Sequence, residues 1–383
     1  MDFTFTEEQQ AVVEAARHVF SAVAPDRVPS PALTSGAVAD GPDRALWAQL
    51  GESDLLGVLV PGVHGGAGLD VVALCLLLRE SARVLARVPL LEHAAVAHVL
   101  AGHAPADLAA ELLPGVARGE TVLTAAAHGR TGHDPAELAV TARREDPAGD
   151  DAVWVLDGTQ TLVPWAHHAD WIAVPAHTGE GRSVLALVPP HAPGLRTADQ
   201  YSTSGERLAE LTLDGVRVPA RLLLDAEGAW DRLREVLTVG TCALALGLGE
   251  QVLSMTADYT GKREQFGHAV ATFQAVAVQA ADRYIDLKAM EVTLWQAAQR
   301  LDRPGEGGPL PATGDLAVAK IWASEGVRRV VQTAQHLHGG FGADTDYSLH
   351  RYHAWAKHVE LQLGPAAAHE EALGDLLAAH PLT

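Results

Sequence analysis

Cysteine is nearly absent from this chain: its 383 residues include two, Cys75 and Cys242. Both lie in apolar stretches, "ALCLLL" and "VGTCALALGLG", where a free cysteine usually acts as a small hydrophobic residue. We therefore do not expect either thiol to act as a nucleophile or as a redox group.

Positive charge is also scarce. The chain carries 28 Lys and Arg against 48 Asp and Glu, which gives a net charge of −20 and an isoelectric point near 5.3. Nucleic-acid binding needs clustered basic residues. This balance argues against a nucleic-acid partner and favours chemistry on a small molecule.

Long hydrophobic runs are missing as well. No uninterrupted apolar stretch approaches the ~20 residues of a membrane span, and the opening "MDFTFTEEQQ" is acidic and amphipathic rather than a basic leader. We therefore expect a cytoplasmic protein without a membrane segment. Apolar content is nevertheless high, at 48% with a mean hydropathy of +0.07, so the chain can bury a large core in roughly two or three domains.

Three sequence textures follow one another. Apolar residues recur at three- and four-residue spacing up to about Gly119, then short runs rich in Val, Leu, Trp and Thr alternate with Gly, Asp and Pro turns, and long helical patterns return near Ala226. We predict an α+β fold with an N-terminal helical domain (1–120), a middle β-barrel or sandwich (121–225) and a C-terminal four-helix bundle (226–383) that drives oligomerisation.

One segment interrupts a long apolar helix with an unusual set of side chains. The stretch "GKREQFGHAVATFQ", residues 261–274, places a cation, an amide, an aromatic ring and a glycine side by side. By itself "REQFG" is a weak motif. Arg263 also suits a helix C-terminal cation, and Gly267 suits a helix stop.

Taken with its surroundings, the motif becomes specific. The chain resembles the acyl-CoA dehydrogenase family over nearly its whole length, through the segments "MDFTFTEEQQAV", "DLLGVLVPGVHGGAGLD", "WVLDGTQTLVPWAHHADWIAVPA", "LDGVRVPA", "YTGKREQFGHAVATFQ" and "AQHLHGGFGADTDYSLHRYHAWAK". The resemblance implies the three-part fold predicted above. It also implies the cofactor FAD, an acyl-CoA or carrier-bound thioester substrate and an electron-transfer acceptor.

The resemblance assigns a binding site for the diphosphate of FAD on a neighbouring subunit. The residues so implied are Arg263, Gln265 and Phe266 on one side, with His336, Gly339 and Gly340 opposite. A guanidinium binds phosphate as a planar fork, and paired glycines let backbone N–H groups approach closely. Family members commonly carry Gln where His336 aligns, and Gly339–Gly340 also suits an ordinary tight turn.

The family's catalytic base is missing from both of its known positions. An acyl-CoA dehydrogenase removes an α-proton with a carboxylate held beside the flavin. The usual position aligns with Leu363, which cannot accept a proton, and Pro365 replaces the nearby threonine. The second position falls on Leu237 and Thr238. Glu235 is two residues away, about 200° around the helix.

The segments that hold the flavin ring in the family are also altered. The loop "TAAAHGRTGHDP", residues 124–135, keeps only Thr124 of the family pattern. The family's Trp-Ile-Thr strand aligns with Leu162, Val163 and Pro164, and proline has no N–H to offer. The chain thus retains the half of the site that serves a neighbour and has lost the half that serves itself.

This asymmetry resembles the partner subunit of heteromeric actinobacterial acyl-CoA dehydrogenases, some of which act on steroid or other bulky thioesters. We expect a heterodimer or heterotetramer with a homologous catalytic chain. The alternatives are a homo-oligomeric flavin enzyme with a relocated base, for which the candidates are Asp344, Asp346 and Glu360, and a cofactor-free scaffold. Retained Arg263 and Phe266 argue against a scaffold, which needs no diphosphate clamp.

Histidine is abundant, with 19 residues. His350 and His353 have the i, i+3 spacing of helix-borne metal ligands. No cysteine accompanies them, however, so we expect packing and hydrogen-bonding roles and no metal.

Overall fold

The computed structural model describes residues 4–31, 37–131, 138–145, 152–303 and 310–380. Its N-terminal part is helical, with α1 (Glu7–Phe20), α2 (Arg44–Glu52), α3 (Val71–Arg83), α4 (Leu90–His103) and α5 (Ala106–Ala117). A capping box between Thr6 and Gln9 starts α1, and the Asp70 carboxylate caps α3. Helix α3 is buried on nearly every face because it packs against both α1 and the first helix of the C-terminal part.

The middle part is an eight-stranded mixed sheet. Its strands are β1 (Leu123–Ala125), β2 (Val140–Arg144), β3 (Val153–Pro164), β4 (Trp171–Thr178), β5 (Ser183–Val188), β6 (Leu195–Tyr201), β7 (Arg207–Pro219) and β8 (Leu223–Leu224). The order is β6-β7-β3-β2-β4-β5-β8, and β1 pairs with β4 in parallel. The β3–β7 pairing slips in register between Gln160 and Val163, so β3 is irregular close to its end at Pro164.

The C-terminal part is again helical. It contains α6 (Ala229–Lys262), a short hairpin of β9 (Glu264–Gln265) and β10 (His268–Ala269), and then α7 (Gln274–Asp302), α8 (Ala312–His338), α9 (Leu349–Leu361) and α10 (Ala366–Ala379). Helices α6, α7 and α8 pack against one another, and α9 and α10 pack against α8. The α+β architecture predicted from the sequence is confirmed.

Helix α6 is the core of this arrangement. By length and composition it is the one helix among the described residues that is apolar enough to cross a membrane, with a mean hydropathy of 1.6 over its most apolar window. That window is 78% buried inside the fold, against α3, α4, α7, α8 and α9. Its apolar character is therefore explained by packing in the interior.

Backbone strain singles out a few positions. Six non-glycine residues of the described chain have a positive φ, namely Asp54, Leu85, Leu162, Trp165, Phe266 and Leu363. Such backbone costs roughly 1–3 kcal/mol per residue and tends to cluster at functional sites. Three of the six, Leu162, Phe266 and Leu363, are positions that the sequence analysis names, which directs attention to those places.

Candidate functional site

The break between α6 and α7 is an exposed β-turn. Helix α6 ends at Lys262, and the Arg263 N–H donates to the Tyr259 carbonyl at 2.8 Å. Phe266 (φ 53°) and Gly267 (φ 78°) form the tip between β9 and β10, and two successive positive φ values are typical of a type I′ hairpin. The turn holds the Phe266 side chain 91% exposed.

The side chains of this turn point away from the chain's own core. The Arg263 guanidinium is exposed and has no hydrogen bond or ion pair with any other described residue. Gln265 Nε2 donates only to the adjacent Glu264 carbonyl, at 2.8 Å, and the Phe266 ring meets Phe273 edge-on at 6.4 Å. A fork-shaped cation and a bare aromatic ring side by side suit a ligand or partner outside this chain.

The glycine-rich segment after α8 is open on its outer side. Gly339 has φ 60° and ψ −139°, a conformation that essentially only glycine adopts. A Cβ atom built on Gly339 or Gly340 would meet nothing within 4 Å, so a ligand can approach this backbone closely. His336, one turn earlier on α8, is exposed.

The Arg263 turn lies at a groove, and Phe341 of the glycine-rich segment stacks on Tyr259, which lines the same groove. The groove has a volume of about 480 Å³ and is lined by Met255, Asp258, Tyr259, Lys262, Arg263 and Tyr347. We call residues 263–267 and 339–343 the clamp. The sequence analysis missed Lys262, Tyr259 and Tyr347 as neighbours of the clamp, although Lys262 and Tyr259 are part of the same "YTGKR" stretch.

The end of β3 contrasts with the clamp. The Leu162 N–H donates to Gln200 Oε1 at 2.7 Å, and the Thr161 hydroxyl donates to the same atom at 2.9 Å. Pro164 has no N–H, and its carbonyl accepts from the Thr124 hydroxyl at 2.6 Å. The one loop residue retained from the family pattern is thus committed to a contact inside the chain.

The segment after β1 folds over this strand. The Gly129 carbonyl accepts from the Thr161 N–H at 2.9 Å, and the Ala126 N–H donates to Ala173 at 2.9 Å. His128 is buried there, and burial lowers its pKa to about 4. Residues 132–135 of the same loop lie outside the described residues. We call residues 160–165, with 124–131 folded over them, the closed strand end.

A small cavity remains beside the closed strand end. It measures about 70 Å³, and its lining includes Leu91, Glu92, Pro164, Trp165 and His358. Sequence reasoning missed Glu92, whose pKa burial raises to about 7. The signal was a lone carboxylate in the apolar run "VPLLEHAAVAHVLAG". A cavity of this size holds a few water molecules, not a ligand of cofactor size.

Leu363 lies in the turn between α9 and α10. Its φ is 58° and its side chain is buried, at 1% exposure. The turn is held from behind: the buried Lys320 ammonium donates to the Glu360 carbonyl at 3.1 Å, and His369 Nε2 donates to the Leu363 carbonyl at 2.9 Å. The position aligned with the family's base is a well-fixed turn whose side chain cannot accept a proton.

The other base candidates from the sequence lie elsewhere. Leu237 and Thr238 are buried on α6, and Glu235 pairs with Arg232 at 3.5 Å beside a separate cavity between α6, α8 and α10. Asp344 and Asp346 are exposed, and the Glu360 carboxylate pairs with Lys357 at 3.0 Å. Among the described residues, none of these carboxylates lines the cavity beside Pro164.

The histidines of the C-terminal part have hydrogen-bonding roles. His338 Nδ1 donates to the Ala334 carbonyl and His350 Nδ1 to the Tyr347 carbonyl, each at 2.8 Å. Within the described ranges, no group of three or more His, Cys, Asp or Glu side chains is placed to hold a metal ion. Both cysteines are buried, which raises their pKa values.

Comparison with known proteins gives matches to one family along most of the chain. Residues 6–120 match the family model for the acyl-CoA dehydrogenase N-terminal domain, and residues 234–377 match that for the C-terminal domain. The chain is 33% identical over 385 residues to the acyl-CoA dehydrogenase FadE27 of Mycobacterium tuberculosis, with 100% of both chains covered.

Solved structures include similar chains from two-protein assemblies. A chain of the ChsE4-ChsE5 complex from Mycobacterium tuberculosis is 33% identical and superposes with a TM-score of 0.88 over 100% of both chains. A chain from a variant of the Tcur3481-Tcur3483 steroid ACAD is 38% identical, with a TM-score of 0.86 over 97% of this chain and 98% of that one.

Proposed function

This chain belongs to the acyl-CoA dehydrogenase family, and we propose that it acts there as a partner subunit, supplying the clamp for the FAD diphosphate of a homologous catalytic chain. Members of the family are FAD-dependent oxidoreductases that act on CH–CH groups. The assembly would therefore carry out α,β-dehydrogenation of an acyl-CoA or carrier-bound thioester, with a separate electron acceptor, in the cytoplasm.

The observation that carries this proposal is a contrast between two regions: the polar groups of the clamp are open, and those of the closed strand end are bonded within the chain. The clamp suits a diphosphate, because the free Arg263 guanidinium lines a groove, the nearby Phe266 ring is exposed, and the backbone at Gly339–Gly340 is open to close approach. The closed strand end does not fit a flavin ring, because the Leu162 N–H and the Thr124 hydroxyl are already used within the chain. The clamp therefore suits the FAD of a neighbouring chain, whereas the closed strand end leaves no place for a flavin ring of its own.

The division of labour follows from the residues present. FAD, when bound, accepts the hydride that leaves the β-carbon. Arg263 would neutralise part of the diphosphate charge, and Gln265 would add a polar contact. Leu363 cannot remove the α-proton, so in this proposal the other chain supplies the carboxylate base. With the predicted domain limits 1–120, 121–225 and 226–383, the whole clamp belongs to the third part.

The outer face of α7 supports pairing with another chain. Val278, Ile285 and Val292 are 52%, 63% and 51% exposed. Their seven-residue spacing puts them on one side of the helix. This apolar stripe starts near Phe273 and the clamp, so a second chain seated on α7 would lie next to Arg263. The similarity to chains of the ChsE4-ChsE5 complex and the Tcur3481-Tcur3483 steroid ACAD supports a homologous partner and a bulky acyl group.

A second candidate, a self-sufficient homo-oligomer, is favoured by one observation. Glu92 is a buried carboxylate beside Pro164 and Trp165, and burial raises its pKa to about 7, a suitable value for a general base. In that case Glu92, rather than Asp344, Asp346 or Glu360, would be the relocated base. Replacing Glu92 with Gln would then abolish activity of the chain purified alone.

The test is to purify the chain alone and together with a homologous chain that carries the family's Glu. We expect the chain alone to hold little FAD and to show negligible dye-coupled oxidation of acyl-CoA thioesters. Co-expression should restore both. A yellow, active homo-oligomer with stoichiometric flavin would contradict the partner-subunit proposal and favour the second candidate.

A further inference from the structure

Four aromatic side chains form a cluster at the clamp, which itself includes Phe341, and two of them, Tyr259 and Tyr347, line the groove. Tyr259 is on the last turn of α6, His338 ends α8, Phe341 lies in the glycine-rich segment, and Tyr347 precedes α9. The Tyr259 and His338 rings stack at 4.4 Å with an interplanar angle of 20°, and Tyr259 stacks on Phe341 at 5.2 Å and 9°. Tyr347 closes the cluster against Phe341 at 4.6 Å.

Hydrogen bonds fix the orientation of the His338 ring. The Ala334 carbonyl can only accept, so the 2.8 Å contact places the proton on His338 Nδ1. Nε2 of the neutral ring is then an acceptor, and it lies 3.2 Å from the Tyr347 hydroxyl, which donates to it. Neutrality is favoured because His338 is 3% exposed. The imidazole is therefore held from both nitrogens while its face lies on Tyr259.

The cluster connects the two halves of the clamp. Tyr259 also accepts the Arg263 N–H through its carbonyl, at 2.8 Å, so its position sets where the exposed turn begins. His338 immediately precedes Gly339, the residue with the glycine-only backbone. The stack thus joins the start of the Arg263 turn to the start of the Gly339–Gly340 segment, across 79 residues of sequence.

We propose that the Tyr259–His338 stack, held by Tyr347, is a positioning element that fixes the glycine-rich segment opposite the Arg263 turn before the cofactor arrives. None of these rings needs to touch the diphosphate for this role. The proposal rests on the clamp function proposed above and goes beyond it by naming the residues that preorganise the site. Preorganisation strengthens binding because the ordering cost is met during folding.

The experiment uses the complex with a homologous chain that carries the family's Glu, and it measures two quantities. One is FAD retention, from flavin fluorescence on dilution. The other is amide hydrogen exchange of residues 339–343 without added FAD. We expect His338→Ala to weaken FAD retention roughly two- to tenfold, the range for one aromatic pair, and to speed exchange in that segment. Gln332→Ala, an exposed change on the same helix, should alter neither.

Conservative variants separate positioning from a general loss of fold. His338→Phe keeps a ring on Tyr259 and should restore most of the FAD retention lost in His338→Ala. Tyr347→Phe removes one hydroxyl and should weaken retention by less than His338→Ala does. Failure of His338→Phe to restore retention would overturn the positioning role.

The outcomes also separate this proposal from the clamp itself. If Arg263→Ala releases FAD but His338→Ala leaves retention and exchange unchanged, the positioning role is wrong and the clamp stands. If Arg263→Ala leaves FAD retention unchanged, the clamp is wrong, and the positioning role is wrong with it.

Discussion

The clamp and the closed strand end correspond to the two parts of the proposed cofactor site, and they differ in where their polar groups point. At the clamp, Arg263 has no partner among the described residues and Phe266 is 91% exposed beside a groove of about 480 Å³. At the closed strand end, Leu162 and Thr124 are bonded within the chain beside a cavity of about 70 Å³. Under the proposed function, the cofactor site is complete only when another chain supplies the residues that hold the flavin ring.

The largest expected effect comes from Leu363→Glu, which places a carboxylate at the position aligned with the family's base. No activity should appear, because no ring site lies beside it. Burying an unpaired carboxylate should instead lower the free energy of unfolding by roughly 2–4 kcal/mol at pH 8. The loss should shrink at low pH, because burial raises the pKa of an acid and the protonated form is tolerated. Urea unfolding at several pH values measures this.

Leu363→Gln is the matched control for that variant, since it adds polarity without charge. Its destabilisation should be smaller at pH 8 and independent of pH. A clear gain of thioester oxidation in Leu363→Glu would break the comparison, because it would mean that a complete flavin site exists within this chain.

The second effect concerns the clamp. Arg263→Ala should weaken FAD retention in the complex ten- to hundredfold, because a charge-assisted phosphate contact contributes roughly 1.5–3 kcal/mol. Subunit pairing should change little. Dilution followed by flavin fluorescence and size-exclusion chromatography reports both quantities.

Two further arginine variants sharpen that result. Arg263→Lys keeps the charge but loses the fork and should give an intermediate retention. Arg196→Ala, at an exposed ion pair with Asp214 on the sheet, should leave retention unchanged. Equal FAD retention in wild type and Arg263→Ala would place the guanidinium outside the cofactor site.

A third, smaller effect concerns Glu92 in the cavity beside Pro164, and it is seen in how stability depends on pH. Burial raises the pKa of Glu92 from an ordinary 4.5 to about 7, so the native state keeps a proton that the unfolded chain releases. The free energy of unfolding that protonated Glu92 contributes at low pH is therefore lost as the pH rises from about 4.5 to about 7. Glu92→Gln should remove this loss and be more stable than wild type at pH 8.5 by roughly 1–3 kcal/mol. Near pH 5 the two proteins should unfold at similar urea concentrations.

Glu92→Asp is the control, since it retains the titrating group and should keep a pH-dependent loss. If the Glu92→Gln advantage at pH 8.5 is absent, the carboxylate is ionised and solvated in the native protein. The cavity is then more open than described.

The smallest expected change is at Pro164. Pro164→Thr restores the N–H and the hydroxyl of the family strand, yet FAD uptake by the chain alone should stay undetectable. The Leu162 N–H remains bonded to Gln200, and the segment 124–131 still covers the strand. Absorbance near 450 nm after incubation with FAD measures it, with Pro164→Ala as the control. Flavin uptake by Pro164→Thr would show that one residue closes the site.

The sequence predicted the fold well because periodicity and turn residues are local signals. The change from helical spacing to short Val- and Leu-rich runs near Thr121 precedes β1 by two residues, and the return near Ala226 precedes α6 by three. The residues assigned to the clamp could be named from the sequence, since "KREQFG" and "HGGFG" are contiguous motifs whose residue types suit phosphate binding, and their role in binding FAD stays a prediction.

The rest depended on contacts between distant residues. Gln200 on β6 contacts Leu162 on β3, 38 positions away, although β7 lies between these two strands in the sheet, and no local pattern indicates that contact. Glu92 is one of 48 acidic residues, and only tertiary burial distinguishes it. The stack of Tyr259 on His338 likewise needs the packing of α6 against α8.

Flavin stoichiometry in the complex tests the central claim most directly. The complex with a homologous chain carrying the family's Glu should be purified, and its flavin absorbance compared with the amount of each chain from quantitative mass spectrometry. We predict one FAD for each pair of chains and none retained by this chain alone. Two FAD molecules per pair, or one FAD per copy of this chain by itself, would contradict it.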